Sequence, residues 1–259
     1  MHAPSSKGNR LTTHVLVLIG LFSALCYVAL YLKIPIPSPV GSPFLHMGNM
    51  IVILAALLFN GFIGGISGSV GMGLFDALNG YGFSVPKTLI LKFGIGIVTG
   101  TIARKGRRDN TGSPVLWIGA ASAVFLAAGS VLLAVSLLKG NVINIQGVEK
   151  PLVINPVLYI FSLILGSALA AAAILSRRYP VEIQYAILGA VAGIAFNLAG
   201  EFTFYVFYAL LAGTSLYPAV LAAAVSLPAT LINGVFSIIA AIALYIPISR
   251  ALGRINFSL

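Results

Sequence analysis

Acidic residues are scarce in this chain. Five Asp and Glu stand against fifteen Lys and Arg in 259 residues, and charged residues of both signs make up 8%. A soluble domain carries roughly 25%, and no polar stretch here is long enough to form one. Cysteine is nearly absent too. Cys26 is the single one and lies in an apolar segment, which excludes an intramolecular disulfide. Catalytic signatures are missing: there is no HExxH, no Cys/His metal cluster, no G-x-S-x-G and no GxxxxGK[ST] phosphate loop. Gly71-x-Gly73-x-x-Asp76 falls one residue short of a dinucleotide fingerprint and lies within an apolar helix. The expectation is a non-enzymatic protein without metal or cofactor. If ATP drives its work, the hydrolysis belongs to another polypeptide.

What the chain has instead is hydrocarbon. Hydrophobic residues make up 59%, and mean hydropathy is +1.05. Several apolar runs reach the roughly 20 residues needed to cross a bilayer. The fold class expected is an all-α integral membrane protein, a single transmembrane domain over 1–259 with about eight helices. Punctuation places them at about 13–34, 47–60, 64–79, 87–103, 114–138, 156–176, 184–211 and 218–247. Pro35, Pro37, Pro39 and Pro43 forbid continuation of the first helix. Residues 1–12 are short and polar, and the run behind them lacks a clear cleavage site. It reads as a retained helix rather than a signal peptide.

The net charge of +10 follows from topology and does not require a nucleic-acid partner. With the N-terminus in the cytoplasm, ten of the fifteen basic residues fall inside: Lys7, Arg10, Arg104, Lys105, Arg107, Arg108, Arg177, Arg178, Arg250 and Arg254. Lys33, Lys87, Lys139 and Lys150 fall outside, and Lys92 lies within the membrane. This asymmetry predicts a multi-pass membrane protein with both termini cytoplasmic.

Against that background the polar residues inside helices stand out, because burying them in lipid is costly. The stretch from Phe44 to Gly100 holds most of them. His46 and Asn49 open helix two, Asp76 nears the end of helix three, and Lys92 lies inside helix four. Asn197 and Glu201 are four apart on helix seven, hence on one face. Asn233 lies near the middle of helix eight. All bias toward the outer half, where Tyr81, Tyr205 and Tyr208 also gather. Apolar walls with a few convergent polar groups are the composition of a small-molecule pocket. The blander readings are an Asp76–Lys92 ion pair locking two helices, an interhelical hydrogen bond from Asn233, a capping role for His46, and tyrosines that merely anchor the interface. Gly61/Gly65, Gly64/Gly68, Ser67/Gly71 and Ser69/Gly73 carry the spacing that lets helix backbones approach closely.

LHMGNMIVILAALLFNGFIGGISGSVGMGLFDALNGY followed by PKTLILKFGIGIVTG resembles the substrate-binding S components of energy-coupling factor (ECF) vitamin transporters. The branch is the one associated with riboflavin, pyridoxine and hydroxymethylpyrimidine. The resemblance rests on His46, Gly48, Asn49, Asp76, Gly80, Tyr81, Pro86, Thr88, Leu89, Ile90 and Lys92, and on Gly200-Glu201 with LPATLINGVFSIIAAIALYIPI behind it. It covers about half the chain. It implies a six-helix core over 13–103 and 184–254, with an inserted helix pair at about 114–177. It also implies a vitamin-sized substrate near the outer face, a transmembrane coupling subunit and two ATPase subunits. Gly20 and Ala24 on helix one would serve docking. A self-sufficient proton-coupled secondary transporter and a non-transporting membrane assembly protein are the competing readings.

Overall fold

In the computed structural model, residues 13–35, 44–109, 112–143, 152–153 and 155–254 are described. The prolines at 37, 39 and 43, and Lys7, Arg10 and Lys150, lie outside them. Eight helices account for nearly all of the described chain. They are α1 (Thr13–Ala29), α2 (Gly48–Leu58), α3 (Gly61–Leu78), α4 (Val85–Asp109), α5 (Pro114–Lys139), α6 (Pro156–Ser176), α7 (Val181–Leu211) and α8 (Leu216–Arg254). Two short antiparallel pairs interrupt them: β1 (Ile34–Pro35) with β2 (Phe44–Leu45), and β3 (Val142–Ile143) with β4 (Leu152–Val153). The chain is the all-α polytopic membrane protein that its composition predicts. By length and composition, α3 to α8 can each cross a membrane.

The first two helices are shorter, and for α2 the difference has consequences. Its 11 residues rise about 16 Å, roughly half the hydrocarbon core. The predicted helix over 47–60 is trimmed at its far end because Asn60 turns away to cap α3, its Oδ1 accepting from the Ile63 N–H at 2.9 Å. All residues from Gly48 to Leu57 except Met50 are buried, so α2 is covered by protein and not by lipid.

α3 is the helix around which the others assemble, and its glycines are the reason. Gly61 and Gly65 face α4: a methyl built on Gly61 would lie 2.7 Å from the Gly96 carbonyl oxygen, and one on Gly65 would lie 2.8 Å from that of Phe93. Gly64 faces α2, where the same methyl would meet the Ala56 nitrogen at 2.6 Å. Gly71 faces α1 and abuts the backbone of Ser23. Three sides of one helix thus meet three neighbours at backbone distance, the close approach that small residues permit in membranes.

α4 then pairs with α7, where Gly189 sits on the Thr99 carbonyl. α7 in turn packs on α8. One hydrophobic core runs through α1, α2, α3, α4, α7 and α8. α5 and α6 form an antiparallel hairpin at its side, with Gly129 against Leu163, Gly166 against Leu126, and Ser122 Oγ donating to the Gly166 carbonyl at 2.7 Å. A separate small core of Val115, Ile118, Leu169, Ala173 and Ile187 joins the hairpin to α7.

Candidate functional site

Antiparallel packing puts Gly48, the first residue of α2, against Met72 of α3. α3 continues six residues beyond that level, about 9 Å, with no continuation of α2 beside it. The space left over the head of the short helix is a cavity of about 240 Å³. Its far side is closed by α4, α7 and α8. At its rim the last turn of α3 ends on Gly80, whose φ of +84° favours glycine. The Tyr81 N–H bonds back to the Asp76 carbonyl at 2.9 Å, which turns the chain sharply and brings Tyr81 and Ser84 to the cavity.

Eight of the ten residues predicted for a substrate site line this cavity: His46, Asn49, Asp76, Tyr81, Lys92, Asn197, Glu201 and Asn233. Tyr205 and Tyr208 do not. Tyr208 lies seven residues past Glu201, about 10 Å further along α7, and packs into an aromatic cluster with Phe83, Phe204 and Phe207. Lys87, Thr88 and Thr230 line the cavity without having been singled out. Lys87, expected on the outer side at the start of helix four, occupies the first turn of α4. The signal for it was Glu201, an acid within a helix that needed a cation.

The polar groups form interhelical pairs, but not the pair the sequence suggested. Lys92 is 5% exposed and donates from Nζ to Asn197 Oδ1 at 3.0 Å, linking α4 to α7. Lys87 Nζ and Glu201 Oε2 form an ion pair at 2.7 Å between the same helices. Asp76 Oδ2 accepts from Thr88 Oγ1 at 2.5 Å. Asp76 and Lys92 therefore make no ion pair with each other. Register explains it: the would-be Cβ of Gly68 lies 3.3 Å from Lys92 Cβ, so Lys92 springs from α4 eight residues of α3 below Asp76, about 12 Å. Thr88, one turn earlier on α4, stands opposite the carboxylate instead.

The approach to α2 is held from both ends. The His46 N–H donates to Asn233 Oδ1 at 3.4 Å, and His46 Nδ1 accepts from the Gly48 N–H at 3.1 Å. An accepting Nδ1 carries no proton, so Nε2–H is the donor this imidazole offers in its neutral form. Asn49 is the group left over. It is 2% exposed, it lines the cavity, and its Oδ1 has no partner in the protein. A buried acceptor without a donor costs about 1–3 kcal/mol, and here it borders open space.

On the outer face of α1 and α3 lies a second feature. Gly20 and Ala24, both exposed, border an apolar groove of about 340 Å³ with Tyr27, Val28, Val70 and Leu74. A methyl built on Gly20 would meet nothing within 4 Å among the described residues.

These observations define a membrane bundle with a polar, partly unsatisfied cavity. The family model of the ECF-type riboflavin transporter, S component, matches residues 10–171, and the chain belongs to that family. Its long apolar helices make it a multi-pass membrane protein. The match takes in α1 to α5 and most of α6, while α7 and α8 lie beyond it. An uncharacterized protein in gap 3'region from Pyrococcus woesei is 32% identical over 81 residues, which is 31% of this chain and 53% of that protein. The chain thus spans about half the length of this curated relative. No solved structure matches.

Proposed function

We propose that the cavity over the head of α2 binds a riboflavin-like vitamin, and that the protein passes it across the membrane with a coupling subunit driven by two ATPases. The observation that carries the substrate half is the buried, unpartnered Asn49 Oδ1 in the same cavity as Lys92. Lys92 spends one of its three N–H donors on Asn197. A ring edge that alternates carbonyl and N–H groups, as the flavin's pyrimidine ring does, supplies a donor for Asn49 and acceptors for Lys92. His46, Asn197, Asn233 and Glu201 complete the polar lining, and Tyr81 walls the ring. Two lysines and two acids border the cavity, so their formal charges cancel, which suits a ligand without net charge.

In this reading α1–α4 with α7 and α8 are the substrate-handling core, and the 114–177 pair stands beside it. The groove at Gly20 and Ala24 is the face that meets the coupling subunit. The cavity opens on the outer side, both termini are cytoplasmic, and the membrane is a prokaryotic plasma membrane. The support is that Arg104, Lys105, Arg107, Arg108, Arg177, Arg178 and Arg250 fall on helix ends opposite the cavity, whereas Lys33, Lys87 and Lys139 fall on the cavity's side. Mass spectrometry of small molecules released from the detergent-purified protein tests the substrate. A flavin in stoichiometric amount is expected, and a stoichiometric non-flavin ligand in its place would overturn the assignment.

A further inference from the structure

At the end of the bundle remote from the cavity, the last turns of α4 and the turn into α5 meet Tyr185 near the start of α7. A methyl on Gly106 would lie 2.6 Å from its side chain, and one on Gly112 would lie 2.7 Å from its hydroxyl. Nearby, Tyr245 Oη donates to Glu182 Oε1 at 3.5 Å. This places the last turns of α4 beside the start of α7, and Arg177 and Arg178 stand within three residues of that start. Arg104, Lys105, Arg107 and Arg108 of α4 and Arg177 and Arg178 just past α6 are all exposed. Among the described side chains none of the six has a carboxylate within 4 Å. This end lies about 18 Å along α7 from Asn197, so the cations take no part in the cavity.

Directly beside this rim is an apolar wall. The register of the α5–α6 hairpin, Gly129 on Leu163 and Gly166 on Leu126, puts Trp117 level with the last turn of α6. Trp117 is 72% exposed, and Leu116, Ile174 and Leu175 beside it are exposed as well. A Trp at a helix end marks the headgroup level of a bilayer.

We infer that this corner is a binding site for an anionic glycerophospholipid, its phosphate on the arginine rim and its acyl chains along the Trp117 wall. Charge complementarity selects the occupant: six exposed cations, without a carboxylate partner among the described side chains, above a surface that faces hydrocarbon fit an anionic headgroup on a lipid tail. The proposal does not depend on what the cavity binds.

Trp117 is the single tryptophan of the chain, so its fluorescence reports the site without any substitution. The protein is placed in phosphatidylcholine vesicles containing equal fractions of brominated phosphatidylglycerol or brominated phosphatidylcholine. The anionic lipid should associate at least about fivefold more strongly, the effect of about one basic side chain at a membrane surface, and quench correspondingly more. High salt should erase the difference, and Arg177→Gln with Arg178→Gln should reduce it while leaving the α4 cluster to hold the topology. Equal quenching by the two lipids would overturn the proposal. So would loss of the difference on adding inorganic phosphate at an ionic strength where chloride leaves the difference intact, since that outcome assigns the rim to a free anion.

Discussion

The six helices around the cavity and the α5–α6 hairpin are built from similarly apolar sequence, yet they solve different problems. In the core, glycines on α3, α4 and α7 bring backbones together, and the polar side chains pair between helices across the gap. In the hairpin, leucines pack on two glycines, polar side chains are few, and much of the surface faces outward. Polar groups are tolerated where close backbone packing fixes a cavity for them. Where the surface faces lipid, the sequence carries almost none. A site in such a protein is therefore found by asking which helices hold their neighbours rigidly, not which helix is most polar.

The comparison is broken most severely through a glycine. Gly96 of α4 abuts the backbone of Gly65, while Gly119 of α5 has nothing within 4 Å of its would-be Cβ. Gly96→Ala should destabilise by about 3 kcal/mol or more. Gly119→Ala should be neutral or stabilising by up to about 1 kcal/mol. Melting of the two variants in detergent checks this, and similar melting temperatures would show that the core tolerates separation of α3 from α4.

The next effect is on ligand affinity. Glu201→Ala removes the partner of Lys87 and should weaken binding by about tenfold to a hundredfold, the cost of stranding a charged group. Asp76→Ala should act more weakly than an ion-pair reading implies, because Asp76 holds Thr88 rather than Lys92. Its affinity loss should stay near tenfold at most, about 1 kcal/mol for one hydrogen bond. A loss for Asp76→Ala larger than that for Glu201→Ala in parallel titrations would restore an Asp76–Lys92 partnership.

A sharper cut separates binding from transport. Gly20→Leu with Ala24→Leu fills the α1–α3 groove and should abolish uptake into cells while the purified protein binds substrate as before. Equal loss of both would place these residues in the packing of the binding core. The smallest effect belongs to Tyr208→Phe, which leaves the aromatic cluster outside the cavity intact. Its affinity should stay within about twofold of the unaltered protein, within the ±0.5 kcal/mol of a neutral substitution.

Much of this was readable in the sequence, and the exceptions share one cause. Helix positions followed from run length and from Pro, Gly and Asn at the ends, and most starts and stops fall within a few residues of those expected. The cavity residues were legible because Asn49, Asp76, Lys92, Asn197, Glu201 and Asn233 had no reason to sit in apolar helices unless they faced protein or water. Their pairing was not legible. Which residue of α4 meets Asp76 depends on how far α4 slides along α3, and that is set by Gly61, Gly65 and Gly96 meeting in three dimensions. The reach of α7's polar face had the same limit. Asn197, Glu201, Tyr205 and Tyr208 share a stripe, but the sequence does not say where the cavity stops along it. The shortness of α2 was legible, because the expected helix over 47–60 is already too short to cross a bilayer. The cavity over its head was not, because it depends on α3 running on past the level of Gly48.

The central claim is that the space over the head of α2 holds the transported molecule. It is tested by calorimetric titration of riboflavin into the purified protein, beside Lys92→Gln and Tyr208→Phe with their melting temperatures recorded. The account predicts saturable one-to-one binding by the unaltered protein, unchanged in Tyr208→Phe. In a folded Lys92→Gln it predicts weakening by about tenfold or more, the loss of a charged donor. Equal affinity in all three would place the ligand elsewhere and contradict the account.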